Sequence, residues 1–489
     1  MKSKTLGKTF GIHMILIAGA LLRLFYVVFS TIYERQYDIG QIDLDAGHTV
    51  SGGHLAYIQY IYHNGLPDFD PTTVYQFHHP PLHHWICASW MKFCSLFIQN
   101  TDVLEEAIQV VPFVCSLLTL WMLYKVAAQL DLENKAICFV MAIFAFHPSL
   151  ILLSGSVNND CMALLFTVLI VYWTIEWSRS LSFKAIIVLA LSIGLGMLVK
   201  QNVAEMAFPV AAVFIYVLIK NSKTIDTCKQ LLAQFTVFGL ISIPIGMSFY
   251  VRNLLKFNMS MFWVYELAED SWQYTGNVPV IHRFLWPIPS EMIDNLLHFR
   301  LGCGYNVWMQ IIRTSVLGEW DMANVGKPVK LLAVFLMLIG AVLAFVALCS
   351  FVKVFIVRGI RQTILTRKSN LKDAKASQTN NCLDMKGNRT KQQASEEITE
   401  GFALDVPVYL LFSIGYLINM LCYFMFAYKY PQQCSMNFRY IEITLLFPAI
   451  ALGIVLQESR NKWFGKLAIL TLSIFSLSSV LMIGFWGLT

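Results

Sequence analysis

Apolar runs of spanning length recur along the chain, separated by short polar punctuation. A helix that crosses the hydrocarbon core needs about 20 mostly apolar residues. Runs of this kind lie near 10–31, 108–128, 136–154, 160–177, 184–199, 203–220, 230–250, 331–355, 407–427, 440–456 and 467–487. They predict an all-α, polytopic membrane bundle of roughly eleven transmembrane helices. Trp85–Ile98 is apolar but shorter, and the four histidines and two prolines before it make a poor helix start. It is expected as an interfacial helix packed on the bundle, within a long first outer loop.

Composition removes the competing classes. The 489 residues are 57% hydrophobic and 13% charged, where a soluble protein carries about 25% charge. That surface cannot cover a water-soluble globule, and it is too apolar for disorder or collagen. The net charge of +6, from 36 Lys+Arg against 30 Asp+Glu, is too scattered for nucleic-acid binding. It orients the bundle instead, because cytoplasmic loops collect Lys and Arg. Lys2, Lys4 and Lys8 precede an apolar run from Phe10 to Tyr33, longer than the 7–15-residue core of a signal peptide. A retained first helix with a cytoplasmic N-terminus follows. The inside connections are then 129–135, 178–183, 221–229, 356–405 and 457–466, which hold Lys135, Arg179, Lys223, Lys229, Arg460, Lys462 and the basic stretch Arg358–Lys391. Counting Trp85–Ile98 as a span would put that stretch outside.

The polar segment 356–405 has too few apolar residues for a core and reads as a weakly ordered cytoplasmic loop. It divides a catalytic transmembrane module, 1–355, from C-terminal helices in 406–489. The two long outer connections are 34–107 and 251–328. Connections of that length are uncommon unless functional. Most of the eleven cysteines fall in apolar runs and act as small hydrophobes; Cys303 and Cys434 lie in polar connections, with no spacing pattern that requires a disulfide.

Candidate chemistry gathers at helix ends on the expected outer side. Asp38, Asp43 and Asp45 follow the first helix within eight residues. A carboxylate at the membrane boundary is partly desolvated, which raises its basicity toward that of a general base. Gly53–Ile61 reads as an amphipathic helix lying on the bilayer surface, with Leu55, Ile58 and Ile61 on one face. His78, His79, His83 and His84 fall within seven residues and invite a divalent-metal reading, with His78, His79 and His83 as candidate ligands. Pro80-Pro81 stands against a regular helical His79/His83 pair. Asn158-Asn159-Asp160 caps a helix, but capping uses one of the three and leaves Asp160 as a second carboxylate. Lys200, Arg252 and Arg439 are outer-face cations against the positive-inside bias, as an anion such as phosphate requires.

In their order and common placement these landmarks resemble the membrane glycosyltransferases of the C-type fold. The resemblance is to bacterial members of glycosyltransferase family 39, the protein O-mannosyltransferase and aminoarabinose-transferase superfamily. It rests on Asp38, Gly53–Ile61, Phe77-His78-His79-Pro80-Pro81-Leu82, Asn158-Asn159-Asp160, Tyr250-Val251-Arg252-Asn253 and Asn437-Phe438-Arg439-Tyr440. The resemblance implies a multi-pass enzyme, in the plasma membrane if bacterial, that uses a polyprenyl-phosphate sugar donor. The acceptor would be a glycan, protein or lipid hydroxyl at the outer face. It implies Asp38 as catalytic base, Asp160 as the supporting carboxylate, and His78, His79, Lys200, Arg252, Arg439 and Tyr57 as substrate-binding residues. The family often has Asp-Glu where this chain has Asp38-Ile39, and relatives carry Phe-Glu-Lys-Pro at Phe77-His78-His79-Pro80. The histidines would replace a Glu and Lys tied to metal and lipid phosphate, so the resemblance leaves a divalent metal open and names no other cofactor.

Two alternatives make opposite demands. A transporter or flippase of lipid-linked sugars needs ionisable residues near the midplane. Here only Arg23 and Glu205 interrupt the runs in that way. An O-antigen ligase or polymerase typically relies on a large outer loop between late helices, whereas the first loop is the rich one here.

Overall fold

The computed structural model describes residues 2–33, 38–40, 52–222, 224–261, 263–266, 268–298, 302–362, 364 and 404–488. Asp43, Asp45 and most of the polar segment 356–405 lie outside them. The helices are α1 (Lys2–Phe29), α2 (His54–Asn64), α3 (Leu82–Cys94), α4 (Thr101–Glu106), α5 (Val110–Gln129), α6 (Asn134–Phe146), α7 (Pro148–Leu152), α8 (Asp160–Ser180), α9 (Phe183–Val199), α10 (Ala207–Asn221), α11 (Ile225–Phe257), α12 (Val280–Phe284), α13 (Met292–Leu297), α14 (Val307–Leu317), α15 (Lys327–Phe351), α16 (Val406–Lys429), α17 (Leu446–Glu458) and α18 (Lys462–Leu488). No strand occurs among the described residues; one isolated bridge joins Tyr274 to Gln432.

All eleven apolar runs are helical. Eight helices among the described residues are long and apolar enough to cross a membrane, and the bent pair α6–α7 makes a ninth. Of the remaining two, α9 has 17 residues and α17 has 13. The run at 440–456 is not one helix: 3-10 turns at Phe438–Tyr440 and Glu442–Leu445 precede α17. The short apolar segment of the first loop begins at Leu82 rather than Trp85, so His83 and His84 lie in the first turn of α3.

The bend between α6 and α7 is 59°. Pro148 has no N–H, so the Phe144 carbonyl loses its helical partner. Arg23 of α1 replaces it: Nη2 donates to Phe144 O at 3.0 Å and Nη1 to Ala145 O at 2.9 Å. Its Nε donates to Ser116 Oγ at 2.8 Å. The approach needs Gly19, where a Cβ would stand 2.8 Å from that of Ala145. The charge inside the first run is therefore a cap for a broken helix. Arg23→Leu is expected to lower stability by about 2 kcal/mol or more, because two buried carbonyls lose their donor. Thermal unfolding in lipid nanodiscs checks this; an unchanged midpoint contradicts it.

The connections sort into two ends of the bundle. At one end Arg179 Nε meets Asp405 Oδ2 at 3.0 Å, the Glu133 N–H donates to Gln457 Oε1 at 2.9 Å, and Arg358 Nη1 donates to Glu458 Oε1 at 2.6 Å. These are the connections that the charge pattern grouped together. The chemistry-bearing connections meet at the opposite end.

There α2 and α3 pack on each other around Leu55, Ile58, Phe77, Cys87 and Met91. The expectation of α2 on the bilayer surface is corrected. Leu55, Ala56, Tyr57 and Ile58 are successive and all at most 1% exposed, so every side of the helix is covered. Ala56 and Tyr57 lie off the amphipathic stripe, and protein covers them too.

Candidate functional site

The chain leaving α1 is held by two glutamates. The Ile32 N–H donates to Glu106 Oε2 at 3.1 Å, and Tyr33 Oη donates to Glu105 at 2.8 Å. The carbonyls of Asp38 and Ile39 accept from the N–H groups of His54 and Leu55, at 2.9 and 2.8 Å. The loop thus satisfies two of the orphan donors at the start of α2. Backbone this close to backbone requires glycine. Gly53 has φ of 110°, and a Cβ there would stand 2.3 Å from the Ile39 carbonyl oxygen. The adjacent Gly52-Gly53 pair is the sequence signature of this contact.

Asp160 opens α8. Asn158 Oδ1 accepts from the Asp160 N–H at 3.1 Å, and Asn159 Nδ2 donates to the Val199 carbonyl at 2.8 Å. Asn158 supplies the cap and Asn159 ties α8 to the end of α9. The Asp160 carboxylate is left for Lys200, which follows α9 and donates to Oδ1.

Arg439 joins the two carboxylates. Its Nη2 lies 3.0 Å from Asp38 Oδ2 and 3.5 Å from Glu319 Oε1, and its Nε lies 3.6 Å from Asp160 Oδ2. Asn437 Nδ2 donates to the same Glu319 oxygen at 3.1 Å. Three carboxylates therefore share Arg439 and Lys200, all buried or nearly so. Asp38 Oδ1 is buried and has no hydrogen-bond partner among the described residues.

This arrangement corrects the expected basicity of Asp38. Burial does push its pKa up, but Arg439 and then His54 outweigh burial and hold the carboxyl below its usual range. The histidines shift the other way. Burial, with His54 and Lys200 nearby, lowers His78 to about 3; burial, with His78 and His54 nearby, keeps His79 well below its ordinary value. Burial therefore disfavours the charged form of both imidazoles.

A cavity of about 480 Å³ adjoins the cluster. Its lining includes the polar Gln76, His78, His79, Lys200, Glu205 and Asn419 and the apolar Phe208 of α10 with Cys422 and Phe426 of α16. Lys200 and Tyr440 belong to both features. They line the cavity, while Lys200 pairs with Asp160 and Arg439 Nη2 lies 3.4 Å from Tyr440 Oη.

Asp38, Asp160, Lys200 and Arg439 are thus brought together, with His78 and His79 on the adjoining cavity. Arg252 and Tyr57 are not. Arg252 donates to the Pro67 carbonyl at 2.6 Å, and Tyr57 stacks on Phe77 at 4.5 Å; both line a separate cavity of about 220 Å³. His83 points elsewhere, its Nε2 2.8 Å from the Val157 carbonyl. The trio His78, His79 and His83 does not converge, and no group of three or more His, Cys, Asp or Glu that could hold a metal ion occurs among the described residues. Sequence reasoning missed His54 and Glu319. His54 follows the glycine pair; Glu319 follows Gly318 and lies among other titratable residues, with nothing local to mark it.

Fold and site define a multi-pass, all-helical membrane protein whose charged centre is built from helix ends on one side. Residues 78–246 match the family described as dolichyl-phosphate-mannose-protein mannosyltransferase. The chain resembles this class of membrane glycosyltransferase, and the matched segment carries His78, His79, His83, Asp160 and Lys200. No curated protein matches the chain. Among solved structures it is similar to the S. cerevisiae protein O-mannosyltransferase complex bound to the sugar donor, at 15% identity over 54% of this chain and 36% of that one, with a TM-score of 0.36. It is also similar to ArnT from Cupriavidus metallidurans in the apo state, at 13% identity, 91% and 77% coverage and a TM-score of 0.37. The Archaeoglobus fulgidus oligosaccharyltransferase in its apo form shares 11% identity, with 96% and 56% coverage and a TM-score of 0.43.

Proposed function

We propose that the protein is an integral-membrane glycosyltransferase that moves a sugar from a polyprenyl-phosphate donor to an acceptor hydroxyl at the outer membrane face. The observation that carries this reading is the meeting of Asp38, Asp160, Lys200 and Arg439 beside a cavity lined by both polar and apolar side chains. That mixed lining suits an amphiphile with an anionic head. Lys200 attracts the donor phosphate, and Phe208, Cys422 and Phe426 receive the start of the prenyl chain.

Asp38 takes the proton of the acceptor hydroxyl, whose oxygen attacks the anomeric carbon. The bond from that carbon to the phosphate oxygen breaks, and lipid phosphate leaves with the electron pair. The proton on Asp38 passes to water. A single displacement inverts the anomeric centre. Without donor, Arg439 makes Asp38 a weak base. An incoming phosphate competes for Arg439 and Lys200, which loosens that hold and raises the basicity of Asp38 when it is needed. The histidines do not form a ligand set, so no step is routed through a metal. A glycan, a protein and a lipid are each acceptors of suitable chemistry.

Of the two ionisable residues that the transporter reading could use, Arg23 bonds carbonyls at the α6–α7 bend, and Glu205 lines the same cavity as Lys200. The transferase reading is tested by incubating purified protein with a panel of undecaprenyl-phosphate hexoses and mixed acceptors. Time-dependent release of undecaprenyl phosphate is expected; no release from any member overturns the reading. The outer-face placement requires a cysteine introduced within 370–395 to react with an impermeant maleimide only after the cells are opened. Labelling of intact cells contradicts it.

A further inference from the structure

His54 is nearly absent from solvent, at 2% exposure, and holds Asp38 twice. Its backbone N–H donates to the Asp38 carbonyl at 2.9 Å, and its ring Nε2 stands 3.5 Å from Asp38 Oδ2. The other ring nitrogen, Nδ1, is 2.9 Å from Nε2 of His84, which is fully buried. The two rings stack with centroids 5.2 Å apart and planes 6° apart, and His84 also stacks on Tyr57 at 4.3 Å. His79 stacks on the His54 ring at 5.3 Å. The groups that face His54 are therefore one carboxylate and imidazoles, with Arg439 on the same Asp38 oxygen.

We propose that His54 is a positioning residue for Asp38, locked by His84, so that the Asp38 carboxylate is held in one orientation between Arg439 and His54. The inference rests on the glycosyl-transfer reading above. Nε2 faces a carboxylate oxygen, which accepts only, so Nε2 carries a proton. Nδ1 then accepts from His84 in the neutral ring, or donates to it in the imidazolium. In either case the ring cannot rotate without giving up the His84 bond. His54 keeps its Nε2 proton throughout; the acceptor proton goes to the Asp38 carboxylate. Held in this way, the base is pre-oriented, and misplacing a reacting group by about 1 Å can cost about 10²-fold in rate.

The test compares His54→Phe, which keeps a ring but no donor, with His54→Gln, which restores an N–H near the Nε2 position. Full-length protein in nanodiscs is assayed with the undecaprenyl-phosphate hexose that the wild type turns over best. His54→Phe is expected to lower kcat by about 10–10²-fold with KM for the donor within about threefold, and His54→Gln to recover most of that loss. Wild-type kcat in His54→Phe overturns the proposal, as does an equal loss in both variants that follows their thermal unfolding midpoints. Nitrogen-15 spectra of histidine-labelled protein give a readout independent of turnover: Asp38→Asn should shift the His54 Nε2 resonance. If no hexose donor is turned over, the transferase reading fails, while this spectrum still decides the His54–Asp38 contact; an unmoved resonance overturns it.

Discussion

Asp38→Asn is expected to lower turnover of the lipid-linked donor by about 10²–10⁴-fold, the usual contribution of a general base. The substitution keeps shape and an oxygen for Arg439 but removes the group that takes the acceptor proton. Folding should survive, because Arg439 retains Asp160 and Glu319. The pH dependence has a definite sign. The folded-state pKa of Asp38 is depressed by Arg439 and His54, so its ionisation favours the folded state above the unfolded value of about 3.9. That contribution is lost as pH falls through the lower folded value. The stability gap between wild type and Asp38→Asn should therefore be widest above about pH 4 and close in stronger acid, as read by thermal unfolding across pH. A gap that widens in acid contradicts the assigned ion pair.

Replacing Arg439 should have the largest effect on stability. It bridges Asp38, Asp160 and Glu319, and Arg439→Gln removes the one guanidinium that these three buried carboxylates share, with Lys200 left on Asp160, His54 beside Asp38 and Asn437 on Glu319. Breaking a buried pair from one side costs about 3–5 kcal/mol. Poor expression or a much lowered unfolding midpoint is expected, and wild-type stability would show that the cluster is not held by this charge. Arg439→Lys separates folding from function. A lysine keeps the charge but has no planar fork to meet carboxylates at 3.0, 3.5 and 3.6 Å. It should fold and lose about 10²–10³-fold in turnover, the scale for removing one donor that stabilises developing charge.

Much of this centre was legible because membrane sequences make charge conspicuous. Asp160, Lys200 and Arg439 stand at the ends of apolar runs, where a lone polar residue has few competing explanations. The fold class followed from the same contrast. The breaks inside the runs did not, because a hydropathy window cannot see Pro148 break the α6 ladder or a short α17 preceded by 3-10 turns. Arg252 matched the pattern of an outer-face cation, yet tertiary structure brings it to Pro67 and Asp68. Glu319 and His54 lie in connections crowded with polar residues, where spacing carries no signal and only the fold brings them to Arg439 and Asp38. The helix that bears His54 misled for a related reason. Its three apolar residues made a surface stripe, while Ala56 and Tyr57 on other sides already allowed it to be covered all round.

The basicity of Asp38 shows the same limit in energetic terms. Burial alone was predictable from position at the end of a spanning run, and it acts in the expected direction. Its sign is overturned by an arginine more than four hundred residues away in the chain. That coupling makes the centre responsive to an incoming anion, since whatever draws Arg439 from Asp38 also strengthens the base.

The most direct test of the account is the anomeric configuration of the product made by the purified chain from an undecaprenyl-phosphate hexose of known configuration, run beside Asp38→Asn. The account predicts a glycoside of inverted configuration from the wild type and about 10²–10⁴-fold less of it from the variant. A product that retains the donor configuration, or one formed equally well without the Asp38 carboxylate, would contradict it.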